Sequence, residues 1–148
     1  MKKEEIIALL PYSDPFLFVD QLISISDDAV SGTFTFKVDS FFYRGHFRNN
    51  PITPGVILTE CMGQIGLVCL GIFILHVEKG STNPTFAMSG TKINFYAPVY
   101  PGETVTVQSQ KIYFRFNKLK CEVQMLNSEN VVVAKGTIDG MLRESILE

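Results

Sequence analysis

Between Gly55 and Val77 the chain is almost wholly apolar, and this segment limits what the rest can fold into. A helix with no polar face must be covered on every side, by lipid or by protein. Glu60 and Gln64 interrupt the run. Its longest unbroken part, Ile65 to Leu75, falls well short of the ~20 residues that a bilayer requires. The segment therefore predicts a buried core helix and no membrane span. Thr53 can serve as N-cap, and Pro54 suits the first helical position, where a missing N–H is harmless. The pattern runs to about His76, with Gly80 near the end.

The flanking sequence must supply the cover. Lys3 to Leu10 reads as a short amphipathic helix stopped by Pro11. Phe16 to Ile25 is predicted as a strand, followed by a turn at Asp27-Asp28. In the next strand Phe34, Phe36 and Val38 alternate with Thr33, Thr35 and Lys37. Residues 39–53 form a long connection without periodicity, of the kind that often carries function. After the helix the pattern is all strand: Thr85 to Phe95, Thr104 to Phe116, Lys118 to Leu126 and Val131 to Leu142. Turns are expected at Pro101-Gly102 and Ser128-Glu129-Asn130. The prediction is an α+β chain forming one domain over residues 1–148, with an antiparallel sheet wrapped around one long central helix. Such a sheet keeps open edges, which pairing with another copy would protect, so a homodimer is expected.

Composition narrows the function. The 148 residues carry a net charge of −2, which gives no case for a nucleic-acid partner. Lys111, Arg115, Lys118 and Lys120 read as a solvated strand face. Three cysteines, Cys61, Cys69 and Cys121, match neither a zinc signature nor a disulfide framework. Read as reduced structural residues, they point to the cytoplasm, with no metal site. The apolar run at the N-terminus, Ile6 to Leu10, is too short for a signal peptide.

The chemistry concentrates between Arg44 and Gln64. His46 follows Gly45 and is flanked by Phe41, Phe42 and Phe47, so an imidazole with a pKa near neutrality meets an apolar wall. Glu60 sits about two turns into the buried helix, where a carboxylate must be paired, protonated or facing a wet cavity. Gln64, one turn further on, can orient it. The amides of Gly55 and Val56 start the helix without intrahelical partners, and they can polarise a carbonyl oxygen placed there. Each has a plain structural alternative: a loop His bonded to backbone, a carboxylate bonded to Gln64 or to backbone, and a helix start solvated by water. His76 is accounted for by the helix dipole. Tyr113, Phe114 and Phe116 read as sheet packing. Gly63, Gly66 and Gly71 either leave room beside the helix or let strands pack close.

Together these residues resemble a known family. Gly45-His46-Phe47, Pro51-Ile52 and Pro54-Gly55-Val56 with Glu60 resemble the hot-dog fold 3-hydroxyacyl-acyl-carrier-protein dehydratases of fatty acid synthesis. Leu10-Pro11 with Pro15-Phe16-Leu17-Phe18-Val19-Asp20, and Pro98-Val99-Tyr100-Pro101-Gly102-Glu103, extend the resemblance over roughly Leu10 to Leu142. It implies His46 and Glu60 as the catalytic pair, contributed to one site by two subunits of a dimer or trimer of dimers. It also implies the Gly55 amide as donor to a thioester carbonyl, and Glu rather than Asp at position 60 points to the non-isomerising kind. Substrate contacts are expected at Gly55, Val56, Phe47 and Gln64, with no cofactor. The substrate implied is an acyl thioester on acyl carrier protein or coenzyme A. Water would leave after protonation by Glu60 or by the imidazolium of His46. The chain departs from the family pattern at Arg48-Asn49 after Phe47, at Tyr12-Ser13 after Leu10-Pro11, and at Phe95-Tyr96, where basic residues are usual. The alternatives are a thioesterase on the same fold and a non-catalytic acyl-binding subunit.

Overall fold

The apolar segment forms a continuous central helix, and the sheet packs onto it. A computed structural model describes residues 1–80 and 84–144. The helix is α-helical over α2 (Gly55–Gly63), π-helical over Gln64–Cys69 and α-helical again over α3 (Leu70–Lys79). Of its most apolar window, 83% is buried inside the protein. Ahead of it come α1 (Lys3–Ala8), β1 (Gln21–Ile25), β2 (Ala29–Thr35) and a turn of 3-10 helix over Phe41–Arg44. After it come β3 (Pro84–Phe95), β4 (Thr104–Arg115), β5 (Lys118–Leu126) and β6 (Val132–Glu144).

The strands form one antiparallel six-stranded sheet in the order β1-β2-β4-β5-β6-β3. Strict alternation decides which side faces the helix. Val105, Val107 and Ser109 of β4 point inward, as do Leu119, Cys121, Val123 and Met125 of β5. Register shifts between Met88 and Gly90 and between Lys111 and Tyr113 bend the strands, which lets the sheet curl around a cylinder. The sheet edges are β1 and the twelve-residue β3.

The helix glycines are contact points. A Cβ at Gly63 would lie 2.7 Å from Met88 Cε, and one at Gly71 would overlap the Phe86 ring. Strand β3 therefore lies directly on the helix, antiparallel to it. The π-helical turn is tied to the sheet as well, because the buried Ser109 hydroxyl donates to the Gly66 carbonyl at 2.8 Å.

Several local expectations are corrected. The strand expected from Phe16 begins only at Gln21, because Phe16 and Phe18 bond to the central helix through their backbone groups. Thr53 does not cap the helix: its hydroxyl shares a 2.6 Å hydrogen bond with Tyr43, and Pro54 takes the N-cap position. Val38 is 71% exposed, because β2 ends at Thr35. Phe116 is 92% exposed at a hairpin tip, where it and Asn117 adopt φ of 52° and 61°. The aromatic cluster thus divides: Phe114 lies 6.2 Å from Phe86, while Tyr113 stacks beneath the Arg115 guanidinium.

Candidate active site

The His46 loop is built by short-range backbone bonds. The 3-10 turn at Phe41–Arg44 passes into Gly45, and the His46 N–H donates to Phe42 O at 3.1 Å. Ile52 N–H returns the chain to His46 O at 2.9 Å, closing a compact loop around Phe47–Asn50. The His46 ring, half-buried, stacks on Phe47 with centroids 3.9 Å apart. Its Nδ1 lies 2.9 Å from the Ile52 carbonyl oxygen. A carbonyl can only accept, so Nδ1–H is the donor, and in the neutral ring the lone pair is on Nε2. Phe47 is 53% exposed beside it, an apolar wall open to a ligand.

The helix start supplies donors. Pro54 O accepts from Ile57 and Leu58 N–H at 3.0 and 3.1 Å. The amides of Gly55 and Val56 have no acceptor among the described residues, as the first turn of a helix dictates. The ring of Phe95, the last residue of β3, stands against Gly55; a Cβ there would lie 3.1 Å from Phe95 Cζ. An aromatic wall therefore flanks the donors, and the side chain of Val56 is open to solvent.

Glu60 is held from a distant part of the chain. The Gln64 amide Nε2 donates to Glu60 Oε1 at 3.1 Å and to Phe16 O at 3.0 Å, while its Oε1 accepts from Phe18 N–H at 2.8 Å. Gln64 is wholly buried, and both ends of its amide are occupied. It therefore orients Glu60, with both amide hydrogens and one lone pair of its oxygen engaged within the chain. The Cys61 thiol reaches Phe18 O at 3.4 Å, and burial pushes the Cys61 thiol up so far that it stays protonated. Glu60 Oε2 has no partner among the described residues.

The structure thus brings Glu60 and Gln64 together and sets Gly55 and Val56 one to two turns before Glu60. No hydrogen bond or ion pair joins His46 to Glu60 within one chain among the described residues. The sequence reading missed two elements here. The Ile52 carbonyl that fixes the His46 tautomer carries no side-chain signal. Phe95 was noted only as a departure from a pattern, and nothing local shows that it reaches the helix start. Among the described residues no cluster of His, Cys, Asp and Glu is arranged to hold a metal ion.

Comparison with known proteins fits this geometry. Residues 10–138 match the model of the FabA-like domain. The 3-hydroxyacyl-acyl-carrier-protein dehydratase FabZ of Ehrlichia canis is 31% identical, with 96% of this chain and 95% of that protein covered. The FabZ dehydratase of Caldicellulosiruptor bescii is 30% identical over 91% of this chain and 94% of its own. Among solved structures, the dehydratase heterocomplex ApeI:P from Xenorhabdus doucetiae superposes with a TM-score of 0.79 at 15% identity, covering 95% of this chain and 91% of that one. The thioesterase HI1161 from Haemophilus influenzae gives 0.71 at 16% identity, covering 100% and 94%. These two likenesses establish the hot-dog fold, and the sequence matches establish the lineage: the chain belongs to the FabA-like domain family, alongside the FabZ-type 3-hydroxyacyl-acyl-carrier-protein dehydratases.

Proposed function

We propose that this protein removes water from a 3-hydroxyacyl thioester, giving the trans-2-enoyl thioester, with His46 as base and Glu60 as acid. The observation that carries the assignment is the 2.9 Å contact between His46 Nδ1 and Ile52 O, which in the neutral ring directs the lone pair to Nε2. The thioester carbonyl oxygen accepts from the Gly55 and Val56 amides, where the helix dipole favours developing negative charge. The C2–H bond is thereby acidified, and His46 Nε2 takes its proton. The electron pair forms the C2–C3 double bond as the C3–O bond breaks. The departing hydroxyl takes a proton from Glu60 Oε2, the oxygen that Gln64 leaves free, and departs as water. Glu60 and His46 then return to their starting states by exchanging one proton with solvent. The substrate is an acyl thioester carried on acyl carrier protein or coenzyme A, and the reaction serves fatty acid or related acyl synthesis.

The working form in this reading is a homodimer, or a trimer of such dimers, in the cytoplasm. Its support is that no hydrogen bond or ion pair joins His46 to Glu60 within one chain among the described residues and that the twelve-residue β3 is a sheet edge beside the site. Three free, buried thiols suit a reducing compartment. The test is hydration of 2-enoyl thioesters on both carriers, the reverse reaction. The purified protein should hydrate them, and His46→Ala and Glu60→Gln should each lose most of the rate. Release of free thiol without hydration would instead indicate a thioesterase.

A further inference from the structure

Among the described residues three polar side chains are buried: Thr53, Gln64 and Ser109. Thr53 pairs with Tyr43 beside the helix start, and Gln64 holds Glu60. Ser109 stands on β4, away from the reacting groups, and its hydroxyl donates to Gly66 O inside the π-helical turn Gln64–Cys69. In an α-helix the Leu70 N–H would be aimed at Gly66 O. Here Leu70 N–H donates to Leu67 O, and the Gly66 carbonyl is met from the sheet, at 2.8 Å. A buried carbonyl turned out of the helix ladder needs such a donor. The fit is close: a Cβ at Gly66 would lie 3.0 Å from Ser109 Cβ and 3.2 Å from its Oγ.

The wide turn decides how the two halves of the helix face the sheet. Gly63, at the end of α2, and Gly71, in α3, are eight residues apart, and both lie under β3, against Met88 and Phe86. At 3.6 residues per turn, eight residues of plain α-helix would set them about 80° apart around the axis. A π turn takes up one extra residue, which brings them back to within about 20°. With α3 seated on Phe86, the turn sets the facing of α2, and with it Glu60 and the Gln64 amide. Reversion to plain α-helix would rotate one half against the other by about 100°. A tenth of that rotation moves a carboxylate at the rim of the helix, about 5–6 Å from its axis, by about 1 Å. A misplacement of that size costs up to about 100-fold in rate.

We infer that Ser109 is a positioning residue for Glu60, its hydroxyl holding the Gly66 carbonyl out of the α-helical ladder so that the wide turn keeps Gln64 and Glu60 in place against the Phe16–Phe18 backbone. The consequence for catalysis rests on the proposed dehydratase reading; the consequence for the Gln64 amide does not. Ser109 acts in series, through Gly66, then Gln64, then Glu60.

Ser109→Thr and Ser109→Val are nearly equal in shape and differ in the hydroxyl, so comparing them separates the hydrogen bond from crowding. In enoyl-thioester hydration, Ser109→Ala and Ser109→Val should lose about 10- to 100-fold in kcat with KM within about twofold, and Ser109→Thr should be about 10-fold faster than Ser109→Val. The side-chain amide hydrogens of Gln64, bonded to Glu60 and Phe16, should exchange with solvent faster by NMR in the Ala and Val variants than in the wild type. Val107→Ala, which removes buried packing from the same strand but no hydroxyl, should keep kcat within about twofold and Gln64 exchange slow. Equal kcat in the Thr and Val variants, an equal fall in kcat in Val107→Ala, or unchanged Gln64 exchange in Ser109→Ala would overturn the inference. A wild-type protein that hydrates no enoyl thioester on either carrier would overturn the dehydratase reading and leave the Gln64 exchange as the test of Ser109.

Discussion

The two ends of the candidate site are built differently. His46 is fixed by a carbonyl six residues away, within a loop that folds on itself. Glu60 is fixed by Gln64, whose other partners, Phe16 and Phe18, lie 48 and 46 residues away in sequence. His46 thus depends on local backbone conformation, and Glu60 depends on tertiary packing. Damage at the first end should reach activity without reaching stability; damage at the second should reach both.

The largest expected effect comes from His46→Ala, which should lower kcat/KM about 10²- to 10⁴-fold. Its thermal midpoint should stay close to that of the wild type, since the ring makes one hydrogen bond from a half-buried loop. A large loss of stability would show that the loop is less self-contained than described. At the other end, Gln64→Leu strips the partners from Phe18 N–H and Phe16 O and releases Glu60. Each orphaned buried group costs about 1–3 kcal/mol, so urea unfolding should show a loss of several kcal/mol together with a fall in kcat. An unaltered urea midpoint would break the contrast between the two ends.

Gly71→Ala probes the packing behind the acid end. Its Cβ would overlap the Phe86 ring, and overpacking of this kind costs about 1–3 kcal/mol. The double variant with Phe86→Leu should recover part of the loss; no recovery would mean that the close approach of β3 is not the cause. Alkaline pH sharpens the same region. Burial holds the thiols of Cys69 and Cys121 up at about 12 and about 11, and the phenol of Tyr12 at about 12. These groups ionise earlier in the unfolded chain, so the native state binds more protons above about pH 9. The stability they contribute is full below that pH and is lost as pH rises toward their folded values. The urea midpoint should fall between pH 8.5 and 10.5 and hold steady between pH 7 and 8.5. A midpoint that rises above pH 9 would contradict the burial. The smallest effect belongs to the surface pair of half-buried Lys111 and exposed Asp28, 3.4 Å apart, where Lys111→Ala should cost less than about 1 kcal/mol.

How much of this was legible in the sequence follows the same division. The central helix announces itself because an apolar segment with no polar face allows few solutions, and alternation in β4 and β5 then places the sheet around it. His46, the helix start at Gly55 and the lone carboxylate at Glu60 stand out because each is a local anomaly. What remained hidden depends on contacts between distant segments. Nothing in Phe16 to Asp20 signals that its backbone groups bond to a helix glutamine instead of continuing β1. Nothing near Phe95 signals that its ring stands on Gly55. Val38 continues an alternating pattern past the point where pairing with β4 stops, so its periodicity misleads. The glycines of the helix allowed either a cavity or close packing, and only the positions of Phe86, Met88 and Ser109 decide for packing.

The central claim is that His46 and Glu60 work as one proton-transfer site shared between two chains. The direct test mixes the His46→Ala and Glu60→Gln proteins, each inactive alone, by joint unfolding and refolding, and measures enoyl-thioester hydration. Random pairing of equal amounts puts half of the dimers in the mixed form, each with one site carrying both substitutions and one carrying neither, so about a quarter of wild-type activity should return. Activity that stays at the level of the separate variants, in a mixture shown to contain mixed dimers, would contradict the shared site.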